Sequence, residues 1–234
     1  MIKATNLLFG YSEEREKALN GVNFSADKGE FIAVLGSNGC GKSTLLNLAA
    51  GLLDPTSGTI KFTEVESNKE PRMSIVFQET GLFPWRSVAE NVAFGLEAEN
   101  FPAEKRKERI AHYIELVGLK GFESSFPHQL SGGMRQRVGI ARALAVEPDV
   151  LLMDEPFSAL DAQTRTIMQE ELVTLWEKTR LTTLYVTHNI QEAVMLADRV
   201  VLLSRRPGKI SKVLEINIPR AERSNPENAE AIAE

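Results

Sequence analysis

The sequence is 234 residues long, with 43% hydrophobic and 25% charged residues, a composition typical of an ordinary globular protein. Its net charge of −5 gives no overall basic character, so nucleic acid is not an expected partner. A single cysteine, Cys40, excludes a disulfide within the chain and is typical of a reducing compartment.

No segment has the pattern of a leader peptide or a membrane span. Residues 1–6 lack the apolar run of a signal peptide. The longest apolar stretch, residues 45–53, is far shorter than the ~20 residues that cross a bilayer. We therefore expect a soluble chain, and any membrane-spanning part of its assembly would come from another chain.

Five short runs are largely apolar on both faces and are predicted to be strands. They are residues 31–35, 74–77, 150–153, 183–186 and 200–203. Such runs are typical of a parallel sheet covered by helices. Between the third and fourth runs, Met168, Leu172, Leu175 and Trp176 have the spacing of one helical stripe. The alternation of strand and helix predicts an α/β fold.

Two other regions have a different character. Residues 87–144 show helical periodicity without a convincing strand, as at Ile110, Ile114 and Val117, and are predicted to be a helical insertion into the α/β core. Residues 220–234 are polar and are predicted to form a loosely held tail.

A glycine-rich motif lies between the first apolar run and a helical pattern. It fits G-x-x-x-x-G-K-[S/T] and comprises Gly36, Ser37, Asn38, Gly39, Cys40, Gly41, Lys42, Ser43 and Thr44. Glycines let backbone N–H groups surround phosphates, and the helix that follows adds the positive end of its dipole. The motif predicts an ATP phosphate site, with Lys42 at the β- and γ-phosphates and the Ser43 hydroxyl on Mg²⁺. A glycine-rich turn without a ligand is the alternative.

Two acids follow the apolar run at residues 150–153. Asp154 is predicted to hold Mg²⁺ directly or through water. Glu155 is placed to polarise the attacking water as a general base. The alternative is a pair of surface acids after a strand, and the sharp stop at Pro156 disfavours it.

Residues 130–137 read LSGGMRQR and resemble the signature of the ABC ATPases. A serine hydroxyl and two glycines at a helix start form a second anion site, although a plain N-cap at Ser131 would look the same. The position before the Asp154 strand favours the ABC signature. The resemblance implies a P-loop NTPase (RecA-like) α/β core over residues 2–219, with an N-terminal antiparallel β portion and a helical subdomain inserted at 87–144.

The resemblance also implies roles for single residues. Gln78 resembles the glutamine that senses Mg²⁺ and the attacking water, and His188 the switch histidine that contacts the γ-phosphate. Tyr11 resembles the aromatic residue that stacks on adenine, and Asp161 the aspartate that communicates across a dimer. The signature residues Ser131, Gly132 and Gly133 would cap ATP bound to the partner subunit.

Within the family, residues 77–85, 88–92, 206–210 and 218–220 resemble the nitrate, sulfonate and taurine import ATPases. This implies import of a small anion, with another small solute as the alternative cargo. Two positions depart from the usual pattern: Cys40 stands where alanine or serine is common, and Met134 replaces a glutamine of the signature.

The implied assembly is a head-to-tail dimer of ATPase subunits, identical or close paralogues, at the cytoplasmic face of the inner membrane. Its other partners would be transmembrane permease subunits, contacted by Phe83, Pro84 and Trp85, and indirectly an extracytoplasmic solute-binding protein. Two alternatives are a soluble ABC ATPase that acts on clusters, ribosomes or DNA, and a P-loop kinase or GTPase.

Cys40 carries a separate hypothesis. Its place in the phosphate loop, near the positive end of a helix, predicts a reactive thiol whose alkylation inhibits the ATPase and is prevented by MgATP. The alternative is an inert, buried thiol.

Overall fold

A computed structural model describes residues 1–11, 17–63, 71–99 and 101–223. The strands are β1 Ile2–Phe9, β2 Leu19–Ala26, β3 Phe31–Leu35, β4 Ser57–Phe62, β5 Met73–Val76, β6 Val150–Asp154, β7 Thr182–Thr187, β8 Arg199–Leu203 and β9 Ile210–Glu215. The α-helices are α1 Lys42–Ala49, α2 Val88–Ala98, α3 Ala103–Leu116, α4 Gly132–Ala145, α5 Ala162–Thr179 and α6 Ile190–Leu196. Short 3-10 turns occupy Pro127–Gln129 and Arg220–Glu222. Within these ranges, no helix is long and apolar enough to cross a membrane.

The larger sheet has the strand order β5-β6-β7-β3-β8-β9. The first five strands of this order are parallel, and β9 pairs antiparallel with β8. All six residues of β7 are buried, because helices cover both faces of the sheet. The five apolar runs are thus confirmed as neighbouring strands of one sheet, and their carboxyl ends share one edge.

A smaller antiparallel sheet has the order β2-β1-β4. Ile2 is paired with Ala26 of β2 and with Phe62 of β4. The buried face of this sheet shares a hydrophobic core with α1 and one face of the larger sheet. The expected antiparallel portion at the N-terminus is therefore confirmed, and its third strand comes from the chain after α1.

Helices α2, α3 and α4 pack against one another between β5 and β6 in the sequence. The start of α2 is a capping box, in which Ser87 and Glu90 satisfy each other's backbone N–H groups. Asn91, fully buried, accepts from the Phe83 N–H at 2.8 Å and donates to the carbonyls of Phe83, Arg86 and Ser87. One buried side chain thus fixes the loop that precedes the helices.

The start of the predicted tail is firmly held. Arg223 is 6% exposed and donates 2.8 Å and 3.0 Å hydrogen bonds to the carbonyls of Ala197 and Val194. Burial lowers the pKa of Arg223 to about 10. Arg220 pairs with Asp198 at 2.8 Å. The expectation of a loose segment is wrong for residues 220–223, because arginine donors satisfy the carbonyls at the end of α6. Residues 224–234 lie outside the described part of the chain.

Candidate active site and its relatives

The phosphate loop connects β3 to α1 and depends on glycine at two positions. Gly39 and Gly41 have φ values of 77° and 109°, in the left-handed region that glycine adopts without strain. A Cβ on Gly41 would lie 2.8 Å from a methyl carbon of Leu19 and 2.9 Å from the Ala18 carbonyl oxygen. The loop is therefore pressed against the start of β2, which fixes its curvature.

Lys42 is 4% exposed, although its ammonium group is charged. Its Nζ donates to the carbonyl oxygens of Gly36 at 3.0 Å and Ser37 at 3.3 Å. It also lies 3.2 Å from Oε1 of Glu155, a residue that is 14% exposed. The loop folds around its own lysine, so the positive charge stays at the centre of the motif.

The two acids extend from the end of β6 toward the phosphate loop. The Ser43 hydroxyl donates to Oδ1 of Asp154 at 3.1 Å. Burial raises the pKa of Asp154, and this hydrogen bond opposes the shift. Glu155 has φ 42°, a strained value for a residue with a side chain, and its N–H donates to the Val186 carbonyl at 2.9 Å. This backbone turn directs the Glu155 carboxylate toward Lys42.

His188 completes the cluster from the end of β7. Its Nδ1 lies 2.8 Å from Oε2 of Glu155, within hydrogen-bond distance. The Glu155 carboxylate is thus held between the Lys42 ammonium and the His188 ring, one oxygen to each. Lys42 is the first residue of α1, Glu155 follows β6 and His188 follows β7. This is the arrangement expected for ligand-binding residues at the carboxyl edge of a parallel sheet.

A cavity of about 350 Å³ opens beside this cluster. It is lined by Tyr11, Ala18, Asn38, Gly39, Gly41, Lys42, Ser43, Thr44, Gln78, Glu155 and Arg206. Tyr11 packs edge-on against Phe9, and its hydroxyl lies 3.0 Å from Oγ1 of Thr44. Its ring is 56% exposed, so a face remains accessible at the mouth of the cavity. Of the predicted ATP-binding loop, Gly36, Ser37 and Cys40 do not line the cavity.

The predicted signature lies elsewhere on the same chain. Ser131 caps α4, and its hydroxyl accepts from the Met134 N–H at 3.2 Å. Ser131 and Gly132 are exposed, and neither they nor Gly133 line the cavity. Asp161, also outside the cavity lining, caps α5 by accepting from the Thr164 N–H at 3.0 Å. The structure therefore brings Lys42 and Glu155 together but keeps the signature apart from them.

Cys40 does not match the expectation of a reactive thiol. The side chain is 1% exposed and belongs to the hydrophobic core shared by the two sheets. Burial raises the pKa of the Cys40 thiol, and this outweighs the opposing charge of Lys42. The expectation of a thiolate failed because the side chain points into the core, although the backbone belongs to the phosphate loop.

We expect Cys40 to resist alkylation in the folded chain. A maleimide should label the native protein at least about tenfold more slowly than the unfolded protein, because only a small fraction of a buried thiol is exposed and ionised. MgATP should leave the slow rate unchanged. Rapid labelling of the native chain, measured by intact mass, would contradict the buried position.

Arg206 is a lining residue that the sequence did not single out for the cavity. It belongs to the loop between β8 and β9, where the Gly208 N–H donates to the Ala18 carbonyl at 2.9 Å. Gly208 in turn accepts from the Asn20 N–H, which fixes the loop beside the phosphate site. One sequence feature could have indicated that Arg206 lies near the phosphate loop. Arg206 follows β8, and β8 pairs in parallel with β3, the strand that leads into that loop.

A phosphate loop, a paired acid and a histidine at one edge of a parallel sheet define a P-loop ATPase. The family model of the ABC transporters matches residues 19–158, and the chain belongs to that family as an ATP-binding, ATP-hydrolysing subunit. The resemblance drawn from the sequence is confirmed, and a P-loop kinase or GTPase is excluded.

Two relatives and one solved structure illustrate the similarity. The taurine import ATP-binding protein of Yersinia pestis is 49% identical, over 86% of this chain and 79% of the relative. The nitrate import ATP-binding protein of Synechocystis is 47% identical, over 86% and 76%. The fold matches a dimeric ATP-binding cassette in a post-hydrolysis state with ADP and Pi, with a TM-score of 0.79 and 31% identity, over 94% of this chain and 100% of that one.

Proposed function

We propose that Glu155 is the general base of ATP hydrolysis in a subunit that drives import of a small anion. The observation that carries this assignment is the Glu155 carboxylate held between Lys42 at 3.2 Å and His188 at 2.8 Å. A carboxylate beside a phosphate-binding lysine can accept the proton of an attacking water. The His188 ring then donates toward the γ-phosphate, whose charge develops as the bond breaks.

The nucleotide would occupy the cavity lined by Tyr11 and Lys42. The half-exposed ring of Tyr11 stacks on adenine, and the backbone of the phosphate loop receives the phosphates. Lys42 exchanges part of its contact with Glu155 for phosphate oxygens. Arg206 adds a positive charge to the same lining, complementary to the anionic substrate.

Mg²⁺ is the expected cofactor, and the donor set fits it. The Ser43 hydroxyl and the Asp154 carboxylate lie 3.1 Å apart, and the Gln78 amide lines the same cavity. These are the hard oxygen donors that Mg²⁺ prefers, with substrate phosphates completing the shell. The described residues contain no cluster of three acids, histidines or cysteines that would hold a metal alone. When bound, the ion would neutralise charge on the phosphates.

The signature would act on the cavity of a second ATPase subunit, identical or a close paralogue. Ser131 and Gly132 are exposed at the N-terminus of the 14-residue helix α4 and do not line the cavity of their own chain. A helix N-terminus with exposed N–H groups suits the γ-phosphate of a nucleotide presented by the partner. Asp161, exposed at the start of α5, would lie at the same subunit contact.

Permease subunits are the proposed membrane partners, which would place the chain at the cytoplasmic face of the inner membrane. Trp85 is 72% exposed and Phe94 43% exposed, and both rings lie beside Phe83. Exposed aromatic residues clustered on one loop and the helix that follows it are typical of a protein interface. Arg142 donates to the carbonyls of Thr80 and Gly81, which connects this loop to α4.

The cargo is assigned from the relatives. Proteins 44–49% identical to this chain are named for the import of aliphatic sulfonates, nitrate and taurine. We infer a small anion of this kind, delivered to the permease by an extracytoplasmic solute-binding protein. The cassette itself spans residues 2–219, with 87–144 as its helical subdomain.

The shared site can be tested by mixing two inactive chains. One chain carries Lys42→Ala and the other Ser131→Glu, and both carry Glu155→Gln so that bound ATP is retained. In a head-to-tail dimer the mixed pair has both lesions in one site and none in the other. We expect the mixture to trap ATP in up to about one site per mixed dimer. Each separate homodimer should trap little, because Lys42→Ala removes a charge-assisted phosphate contact and Ser131→Glu places a negative charge against the phosphate.

Two controls make the result specific. Ser124→Glu, at an exposed serine outside the signature, should trap ATP as well as the Glu155→Gln parent. Subunit exchange must be verified by two affinity tags, with and without the permease present. If verified mixed dimers trap no more nucleotide than the separate variants, the signature does not complete the partner's site.

A further inference from the structure

Glu192 is a buried carboxylate that the proposed chemistry does not use. It is 4% exposed and lies on α6, four residues after the switch histidine. Its Oε2 accepts from the Thr187 hydroxyl at 2.7 Å and from the Tyr185 hydroxyl at 3.0 Å. Thr187 also accepts from the Asn189 N–H at 3.0 Å. Glu192 thereby fixes the backbone on both sides of His188.

The second oxygen of the same carboxylate faces Arg165, a residue of helix α5. Oε1 of Glu192 lies 3.8 Å from Nε of Arg165. The Arg165 guanidinium donates to the carbonyls of Phe157 at 3.3 Å and Leu160 at 2.8 Å, in the turn that follows Glu155. One carboxylate therefore connects the segments that carry Glu155 and His188.

We propose that Glu192 is a positioning residue that holds Glu155 and His188 in register for hydrolysis. This inference rests on the proposed roles of those two residues. The turn held by Arg165 leads directly to Asp161, at the proposed subunit contact. A displacement of that turn by the partner subunit reaches the His188 segment through Arg165 and Glu192.

The energetics favour a functional role over simple stabilisation. A buried carboxylate costs free energy unless its donors compensate, and apolar residues of the same volume are often as stable. Burial also raises the pKa of Tyr185 well above its ordinary value, with Glu192 contributing, so the phenol remains a donor. The network is satisfied and rigid, which suits a group that fixes a 2.8 Å contact between Glu155 and His188.

The strand β7 offers a matched pair of variants to test this role. Thr187 and Thr183 are both 1% exposed, and each hydroxyl donates one hydrogen bond, from Thr183 to the Leu181 carbonyl at 3.0 Å. Thr187→Val removes the contact with Glu192, whereas Thr183→Val removes one at the opposite end of the strand. Thr187→Val also removes the acceptor of the Asn189 N–H, so it should lower Tm more than Thr183→Val does. Glu192→Gln leaves the contact between Thr187 and the Asn189 N–H in place.

We expect Thr187→Val to lower kcat for ATP by about 10- to 100-fold with KM within about twofold, because misplaced catalytic groups affect turnover more than binding. Glu192→Gln, which keeps the shape but loses the charge facing Arg165, should behave similarly. Thr183→Val should keep kcat within about twofold. If Thr187→Val and Thr183→Val give the same kcat, Glu192 is only structural, whereas wild-type turnover by Glu155→Gln would instead overturn the proposed function.

Discussion

Glu155→Gln is expected to reduce ATP hydrolysis by about 10²- to 10⁴-fold, the range that a positioned general base contributes. The amide cannot accept the proton of the attacking water. It has the same size, so the left-handed backbone at φ 42° and the hydrogen bond to Val186 can persist. ATP affinity should be retained or should increase, because Lys42 loses the carboxylate that competes with phosphate for its charge.

The chain contains a matched control for this substitution. Glu147 is also a glutamate in the left-handed region, with φ 48°, and it pairs with Arg109 at 2.9 Å. Glu147→Gln should keep turnover close to that of the unmodified chain. Steady-state phosphate release and ATP titration separate catalysis from binding. Near-normal phosphate release by Glu155→Gln would remove this residue from the role of base.

Lys42→Ala is expected to weaken ATP binding by about 10- to 100-fold, since a hydrogen bond to a charged group contributes ~1.5–3 kcal/mol. Hydrolysis should also be lost. Removal of the lysine side chain leaves the carbonyls of Gly36 and Ser37 without the Nζ donor. It also removes the ammonium group that pairs with the Glu155 carboxylate. The phosphate loop therefore loses both a ligand for phosphate and an internal support.

Lys209→Ala separates a specific contact from a change in overall charge. Lys209 is an exposed lysine of the β8–β9 loop and does not line the cavity. Its substitution should alter ATP affinity by less than about twofold, as screening weakens the field of exposed charges. Calorimetric titration with ATP measures both variants. Unchanged ATP affinity in Lys42→Ala would show that the loop is not a phosphate site.

The sequence predicted the parts of the fold that follow from local pattern. Runs such as 150–153 have no polar face, so they can lie only in a sheet covered on both sides. The residues that follow these strands come together because the carboxyl ends of parallel strands share one edge of the sheet. The burial of Arg223 was not predicted. A polar segment does not show in its own sequence that its arginine will donate hydrogen bonds to the distant carbonyls of Val194 and Ala197.

Contacts inside the site depended on side-chain direction, which the residue pattern does not contain. The motifs that contain Lys42 and Glu155 indicated that the two residues share a site. Their 3.2 Å ion pair, however, depends on the strained backbone of Glu155 just after β6, which no sequence pattern predicts. Cys40 was expected in the cavity because its neighbours are there. Cys40 instead points its side chain into the core, while Asn38 and Gly39 beside it line the cavity.

The strand order has a consequence for synthesis of the protein on the ribosome. Strand β7, residues Thr182–Thr187, lies between β6 and β3. Among the described strands, it alone pairs with both of them. A growing chain that stops before Thr182 has made Lys42 and Glu155 but has no strand to join their halves of the sheet. Because chains emerge N-terminus first, nascent cassettes cannot consume ATP until nearly four-fifths of the polypeptide has been made.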